Sequence, residues 1–243
     1  MTTLTKITIA IVLSLLLVSC NFDINFDGSG VSGNGNVSTI ERTLDGDFSQ
    51  IEASRGIDVY LTESDSQSLK VQADENLHDI IITKIENGVL KIYADDNIRR
   101  SESKKIMVNV NNLTSVSATS GSDVFSTNTL QADTIKLITT SGADIEVALD
   151  AESTILASTS GSDIKVKGST NLLSASATSG SDIDAKYLIS QICTAAVTSG
   201  ADIVVHAEEK FSAGATSSGD IKYYGNPKNT NISDAISGSV KKQ

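Results

Sequence analysis

From residue 113 to residue 240, apolar and small side chains fall at alternate positions, and this alternation repeats about every 20 residues. The segments TSGSDV (119–124), TSGADI (140–145), TSGSDI (159–164), TSGSDI (178–183) and TSGADI (198–203) align directly. A shortened SSGDI (217–221) and a last ISGSV (236–240) follow. Their glycines, Gly121, Gly142, Gly161, Gly180, Gly200, Gly219 and Gly238, are spaced by 21, 19, 19, 20, 19 and 19 residues. Such a period, without helical spacing and rich in Thr, Ser, Ile and Val, predicts an all-β parallel β-helix with one coil per repeat.

Strand side chains alternate with period two, so the repeat separates inside from outside. One residue past the repeated Asp lie Val124, Ile145, Ile164, Ile183, Ile203 and Ile221; two further lie Ser126, Val147, Val166, Ala185, Val205 and Tyr223. Seven before the Asp come Val116, Leu137, Leu156, Ala175, Ala195 and Ala213. These three files are expected to face inward, stacked at ~4.8 Å. Glu146, Lys165, Asp184, Val204 and Lys222 then point out, and Glu146–Lys165–Asp184 alternates in sign as stacked neighbours favour. The repeated Gly reads as a corner with positive φ. Cys193 shares a file with Thr114, Ile135, Thr154, Leu173 and Phe211 and is expected to be a buried, unreactive free thiol.

Residues 36–112 are more charged and the repeat there is degenerate, but strands are expected at 57–61, 69–73, 89–93 and 106–110. Asn87-Gly88, between the run 80–86 and Val89, signals a hairpin. Asn226 to Gln243 is expected to cap the solenoid.

The amino terminus reads as an address. Lys6 precedes the apolar run Ile7 to Val18, 12 residues broken only by Thr8 and Ser14. That is short for a membrane span and fits a signal peptide. It ends Leu17-Val18-Ser19-Cys20, which resembles the lipobox of bacterial lipoproteins, in which the Cys is acylated and becomes the first mature residue. The alternative is an ordinary secretory signal with an incidental Cys20. No Asp follows Cys20 directly, so the expected location is the outer membrane of a diderm bacterium, on its periplasmic or outer face. The expected organisation is a signal peptide at 1–20, a Gly/Asn/Ser-rich tether at 21–35 and a single domain at 36–240.

Charge narrows the partners. The formal net charge is −11; the mature part, without Lys6, carries 18 basic and 30 acidic residues, or −12. Nucleic acid is repelled. Two distant histidines, His78 and His206, make no zinc signature.

The candidate site is the carboxylate file Asp123, Asp144, Asp163, Asp182, Asp202 and Asp220. Unit charges ~4.8 Å apart repel by ~0.9 kcal/mol even at the dielectric of water, so something must offset them. The plain account is turn chemistry, the Asp accepting corner N–H groups and hydroxyls from Thr119, Thr140, Thr159, Thr178 and Thr198 and from the serines that follow. A sharper account is a row of calcium sites. Against it, the double Gly of calcium-binding nonapeptide repeats is missing and Ala143 and Ala201 replace hydroxyls. No other cofactor is expected. A polysaccharide lyase or hydrolase could use paired carboxylates, but a residue repeated in every coil is poorly suited to a unique catalytic role, and no Trp platform exists.

The mature sequence resembles the bacterial auto-transporter adhesin, head GIN domain family. The resemblance rests on the Gly33–Asn36 opening, FSQIEASRGIDVYL (48–61), LKVQADENL (69–77), NGVLKIYA (87–94), the TSGSD repeats, YYGNP (223–227) and SGSV (237–240). It departs at Gly56-Ile57-Asp58, where the family name implies Gly-Ile-Asn. The resemblance implies an exported, often lipid-anchored parallel β-helix. The expected role is a binding module, attached to the membrane by its lipid, whose partner is a glycan, an envelope component or a host protein; a polysaccharide-active enzyme is the alternative.

Overall fold

A computed structural model describes residues 30–234 and 237–243, so Cys20, the leader and most of the tether lie outside the described residues. The strands in chain order are β1 (Val31–Ser32), β2 (Val37–Arg42), β3 (Gln50–Ala53), β4 (Asp58–Glu63), β5 (Ser68–Asp74), β6 (Ile81–Glu86), β7 (Val89–Ala94), β8 (Ile98–Arg100), β9 (Lys104–Val110) and β10 (Ser115–Thr119). The long wrapping strands β11 (Asp123–Thr140), β12 (Asp144–Thr159), β13 (Asp163–Thr178), β14 (Asp182–Thr198) and β15 (Asp202–Ala215) follow. Then come β16 (Asp220–Tyr224), β17 (Asn229–Asp234) and β18 (Ser239–Lys242). The result is a parallel β-solenoid of about 7 turns.

Each corner is a two-residue turn with positive φ at both positions, as in Ser120 (55°) and Gly121 (69°) or Ser160 (60°) and Gly161 (65°). The repeat had pointed to the Gly alone. The serine at the same bend is held there by the coil above: the Gly121 N–H donates to Ser141 O, Gly142 to Ser160 O, Gly161 to Ser179 O and Gly180 to Ser199 O, at 3.1–3.3 Å. This stacked ladder satisfies backbone groups that a bend would otherwise leave unpaired. The shortened repeat is aligned differently from its glycine. Asp202 pairs with Asp220 only 18 residues on, the corner is Ser217-Ser218, and Gly219 fills the buried slot of Ser181 and Ala201. Gly238 sits likewise, beside a corner at Ser237. An added Cβ at Gly219 would lie 2.8 Å from Val197 Cγ1, which is why the glycine is there.

The degenerate half contributes coils of its own, stacked out of chain order. β3 and β4, joined by an Arg55-Gly56 corner, pair with β10 and β11 on one side. On the other side they pair with β7 and β9. The chain thus runs down to the end coil and returns above its first one. Antiparallel additions close that end: β6 on β7 through the Asn87-Gly88 turn, and β5 between β9 and β2. The expected tether reaches less far than residue 35, because Val31, Gly33 and Gly35 donate N–H bonds to Asn97 O, Arg100 O and Asp74 Oδ2.

Apart from Ser126, the expected inner files are buried from end to end, the first running Ile106, Val59, Val124, Ile145, Ile164, Ile183, Ile203, Ile221. Neighbouring files trade volume to keep the section filled: Leu156 beside Thr154 gives way to Ala175 beside Leu173, Ala195 beside Cys193 and Ala213 beside Phe211. Phe211 stacks on Tyr223 with centroids 4.4 Å apart. The Cys193 thiol is free and buried, and desolvation pushes its pKa up to about 12, leaving it unreactive. Two expected inward residues differ. Thr114 is exposed, its Oγ1 donating to Ser49 O while Leu113 takes the interior. Ser126 is half-buried because the chain bulges there, and its Oγ accepts the Ala148 N–H.

Candidate functional site

The six aspartates form a single file. Cα partners run Asp123–Asp144–Asp163–Asp182–Asp202–Asp220, and Asp58 adds a seventh below Asp123. Asp58 is the residue that departs from the Gly-Ile-Asn pattern, and the departure is what extends the file. At the ends, Lys104 Nζ lies 4.0 Å from Asp58 Oδ1, where burial still outweighs it and raises the carboxyl pKa, and the Ser239 hydroxyl donates to Asp220 Oδ1. Burial, then the neighbouring carboxylates, raise the pKa of Asp123, Asp144 and Asp182 above the ordinary value, with the Asp163 and Asp202 N–H groups partly opposing this at Asp144 and Asp182. The expected hydroxyl bonds to the file do not form along the TSGSD corners. Each Thr pairs instead with the adjacent Ser, at 3.3–3.5 Å, from Thr119–Ser120 to Thr198–Ser199. Among the described residues no three His, Cys, Asp or Glu converge to hold a metal ion.

A raised carboxyl pKa means that these ionised carboxylates oppose folding; their contribution improves as pH falls through the folded pKa and worsens as pH rises. Asp144→Asn is therefore expected to stabilise the domain at pH 7 by up to about 1 kcal/mol, since its exposure and salt screen the repulsion. A melting point raised by about 2–4 °C at low salt, and by less in 1 M NaCl, is the readout. A lowered melting point would show that the carboxylate is held by something other than its neighbours.

A second feature was not foreseen. Beside the file, two residues further along each strand, lies a groove of about 280 Å³. Glu146, Lys165 and Asp184 lie on its floor, and Glu146 Oε1 is 3.2 Å from Lys165 Nζ. Its walls are two places where a coil is longer than its neighbour. Between Phe125 and Thr129, β11 carries two more residues than β12, and between Asp184 and Tyr187, β14 carries one more than β13. The first wall is pinned to the coil below: Asn128 Oδ1 accepts the Glu63 N–H at 2.8 Å, Asn128 Nδ2 donates to Glu63 O at 3.0 Å, and Thr127 and Thr62 hydroxyls are 2.7 Å apart. At the second, the Lys186 ammonium lies over Tyr187 (5.4 Å) and Tyr224 (4.5 Å), setting a ring that is 64 % exposed. The signal was present as the steps of 21 and 20 among steps of 19. What the spacing alone lacked was that both insertions emerge on one face with two regular coils between them.

Among the described residues no helix is long and apolar enough to cross a bilayer. The chain matches the family described as "Putative auto-transporter adhesin, head GIN domain" over residues 47–227, and it belongs to that family. Its fold is that of a putative adhesin of Bacteroides fragilis NCTC 9343 (TM-score 0.82, 21% identity, covering 88% of this chain and 100% of the other). It is also that of a putative lipid binding protein of Parabacteroides distasonis ATCC 8503 (0.71, 22%, 88% and 99%). A putative adhesin of Parabacteroides merdae ATCC 43184 shares it as well (0.65, 21%, 88% and 98%). No curated protein matches the chain.

Proposed function

We propose that the protein is a lipid-anchored binding module of the cell envelope, an adhesin without catalytic activity, held at the outer membrane through Cys20. The observation that carries the binding role is the groove, because in repeat proteins insertions gather on one face and that face is often the one that binds. The aspartate file borders the groove: Asp144, Asp163 and Asp182 project to the same side as Glu146, Lys165 and Asp184, two residues away along each strand. File and groove together form one polar surface about four coils tall. The enzyme alternative gains no support from this arrangement, since the file offers every coil the same carboxylate and singles none out.

Two measurements test the reading. Cells producing the chain are expected to incorporate palmitate into it, and Cys20→Ala to abolish this; an unlabelled wild-type chain would remove the anchor. The full chain is expected to bind to whole cells or isolated envelope material while leaving uronate polymers intact. Turnover of such a polymer, lost in Asp163→Ala, would overturn the binding role in favour of catalysis.

A further inference from the structure

We propose that the groove walled by residues 126–129 and Tyr187 is a subsite for a neutral oligosaccharide, with Tyr187 stacking on one pyranose ring while Glu146, Lys165, Lys167 and Asp184 exchange hydrogen bonds with its hydroxyls. This rests on the binding role above and gives it a ligand class.

Size sets the first limit. About 280 Å³ lies just below the ~300–1,000 Å³ of small-molecule sites, which suits one or two sugar rings of a longer chain lying across an open surface. Charge sets the second. The lining carries two acids, Glu146 and Asp184, and two bases, Lys165 and Lys167, for a local sum of zero. Interleaved acceptors and donors match hydroxyl groups, each of which donates and accepts. They do not match a polyanion, which the chain's net charge of −11 also repels, or a polycation, which would meet both lysines. An apolar peptide finds little to bury against, since Val147 and Val166 under the floor are already 97–98 % covered (3 % and 2 % exposed).

The exposed aromatic completes the set. The described residues expose few large hydrophobic side chains, and Tyr187 is the most exposed of them, at 64 %. The electron-rich face of a phenol attracts the polarised C–H groups on the flat side of a pyranose, and its hydroxyl adds a polar handle. Both walls are held before any ligand arrives, one by the Asn128–Glu63 bonds and the other by Lys186 between Tyr187 and Tyr224. Little ordering is left to oppose binding.

The test is calorimetric titration of the full chain with cellotetraose, mannotetraose and chitotetraose as neutral probes and tetragalacturonate as the anionic one. At least one neutral probe is expected to bind with a Kd of about 10 μM–1 mM. Tyr187→Ala is expected to weaken it about tenfold or more, a loss of ~1.4 kcal/mol, whereas Tyr187→Phe retains it to within about threefold. Lys165→Ala is expected to weaken it by about threefold to tenfold. Unchanged melting of each variant shows that the fold is intact. Absence of binding by every neutral probe at 5 mM, preference for tetragalacturonate, or a Tyr187→Ala variant within twofold of wild type would each overturn the inference. If the wild-type chain and Tyr187→Ala bind equally well to whole cells, the saccharide subsite falls while the broader binding role stands; if neither binds cells, the broader role falls with it.

Discussion

Asp74→Ala is expected to lower stability by about 3–5 kcal/mol, the scale on which a buried charged group's partners are left unpaired. Asp74 is 1 % exposed, at the end of β5. Its Oδ1 accepts the N–H groups of Glu102 and Ser103, each at 3.0 Å, and its Oδ2 accepts that of Gly35 at 2.9 Å. One carboxylate thereby ties the entering chain to the connection between β8 and β9. Burial alone would raise its pKa, but the backbone N–H groups of Gly35, Ser103 and Glu102 outweigh that and hold it below the ordinary value. The sign follows: a depressed carboxyl pKa supplies stability that is present above the unfolded pKa, near 4, and lost as pH falls through the folded one. Asp123, Asp144 and Asp182 act in the opposite sense, so stability should first improve as pH drops from neutral and then fail as Asp74 is protonated. Asp74→Asn keeps the shape but turns an NH₂ group toward one set of donors, and should cost about 1–3 kcal/mol while removing the acid-limb loss. Urea titrations of the three proteins from pH 7 to pH 3 read this directly. Wild-type stability for Asp74→Asn at pH 7 would show that the charge is dispensable.

The second large effect separates two kinds of glycine. Gly168, in β13, pairs across to Leu149 and Leu188, and its φ is +122°. A Cβ there would sit 1.9 Å from Leu149 O, in the backbone of the next coil. Gly161, at a corner, has φ +65° and nothing within 4 Å of an added Cβ. Gly168→Ala should therefore cost about 2–5 kcal/mol, combining overpacking against a rigid ladder with an unfavourable φ. Gly161→Ala should cost about 1–2 kcal/mol, for φ alone. Calorimetric melting of both variants provides the comparison, and equal losses would mean that the wall relaxes around Gly168. The repeat draws attention to Gly161 and hides Gly168, yet close approach of backbones makes the hidden one the stricter requirement.

That contrast shows what is readable in this chain before any coordinates. The Ile/Val file, the aspartate file, the buried Cys193 and the Asn87-Gly88 hairpin all follow from local spacing, because a solenoid places like positions one above another. Features that depend on which coil lies beside which are not readable. The corner Arg55-Gly56 shares only its glycine with the TSG triplets, so the coil it begins, and with it Asp58, looks like irregular strand. The stacking of β7 and β9 beneath β3 and β4 leaves no periodic trace, since the chain visits those coils out of order. Asp74 stands within the recognisable LKVQADENL stretch, but its three donors come from segments up to 39 residues away. The groove depends on two separate lengthenings facing the same way, which spacing counts but does not orient.

The corner ladder from Gly56 to Ser218 makes the domain a ruler. Seven stacked aspartates mark six intervals of ~4.8 Å, a rise of ~29 Å, and any coil whose corner offers the same N–H to the coil above and C=O to the coil below can be added or removed without altering the cross-section. Duplicating or excising one TSGSD unit outside the groove would therefore change the height of the solenoid in uniform increments, making length a trait that recombination between near-identical repeats can adjust while the groove stays as it is.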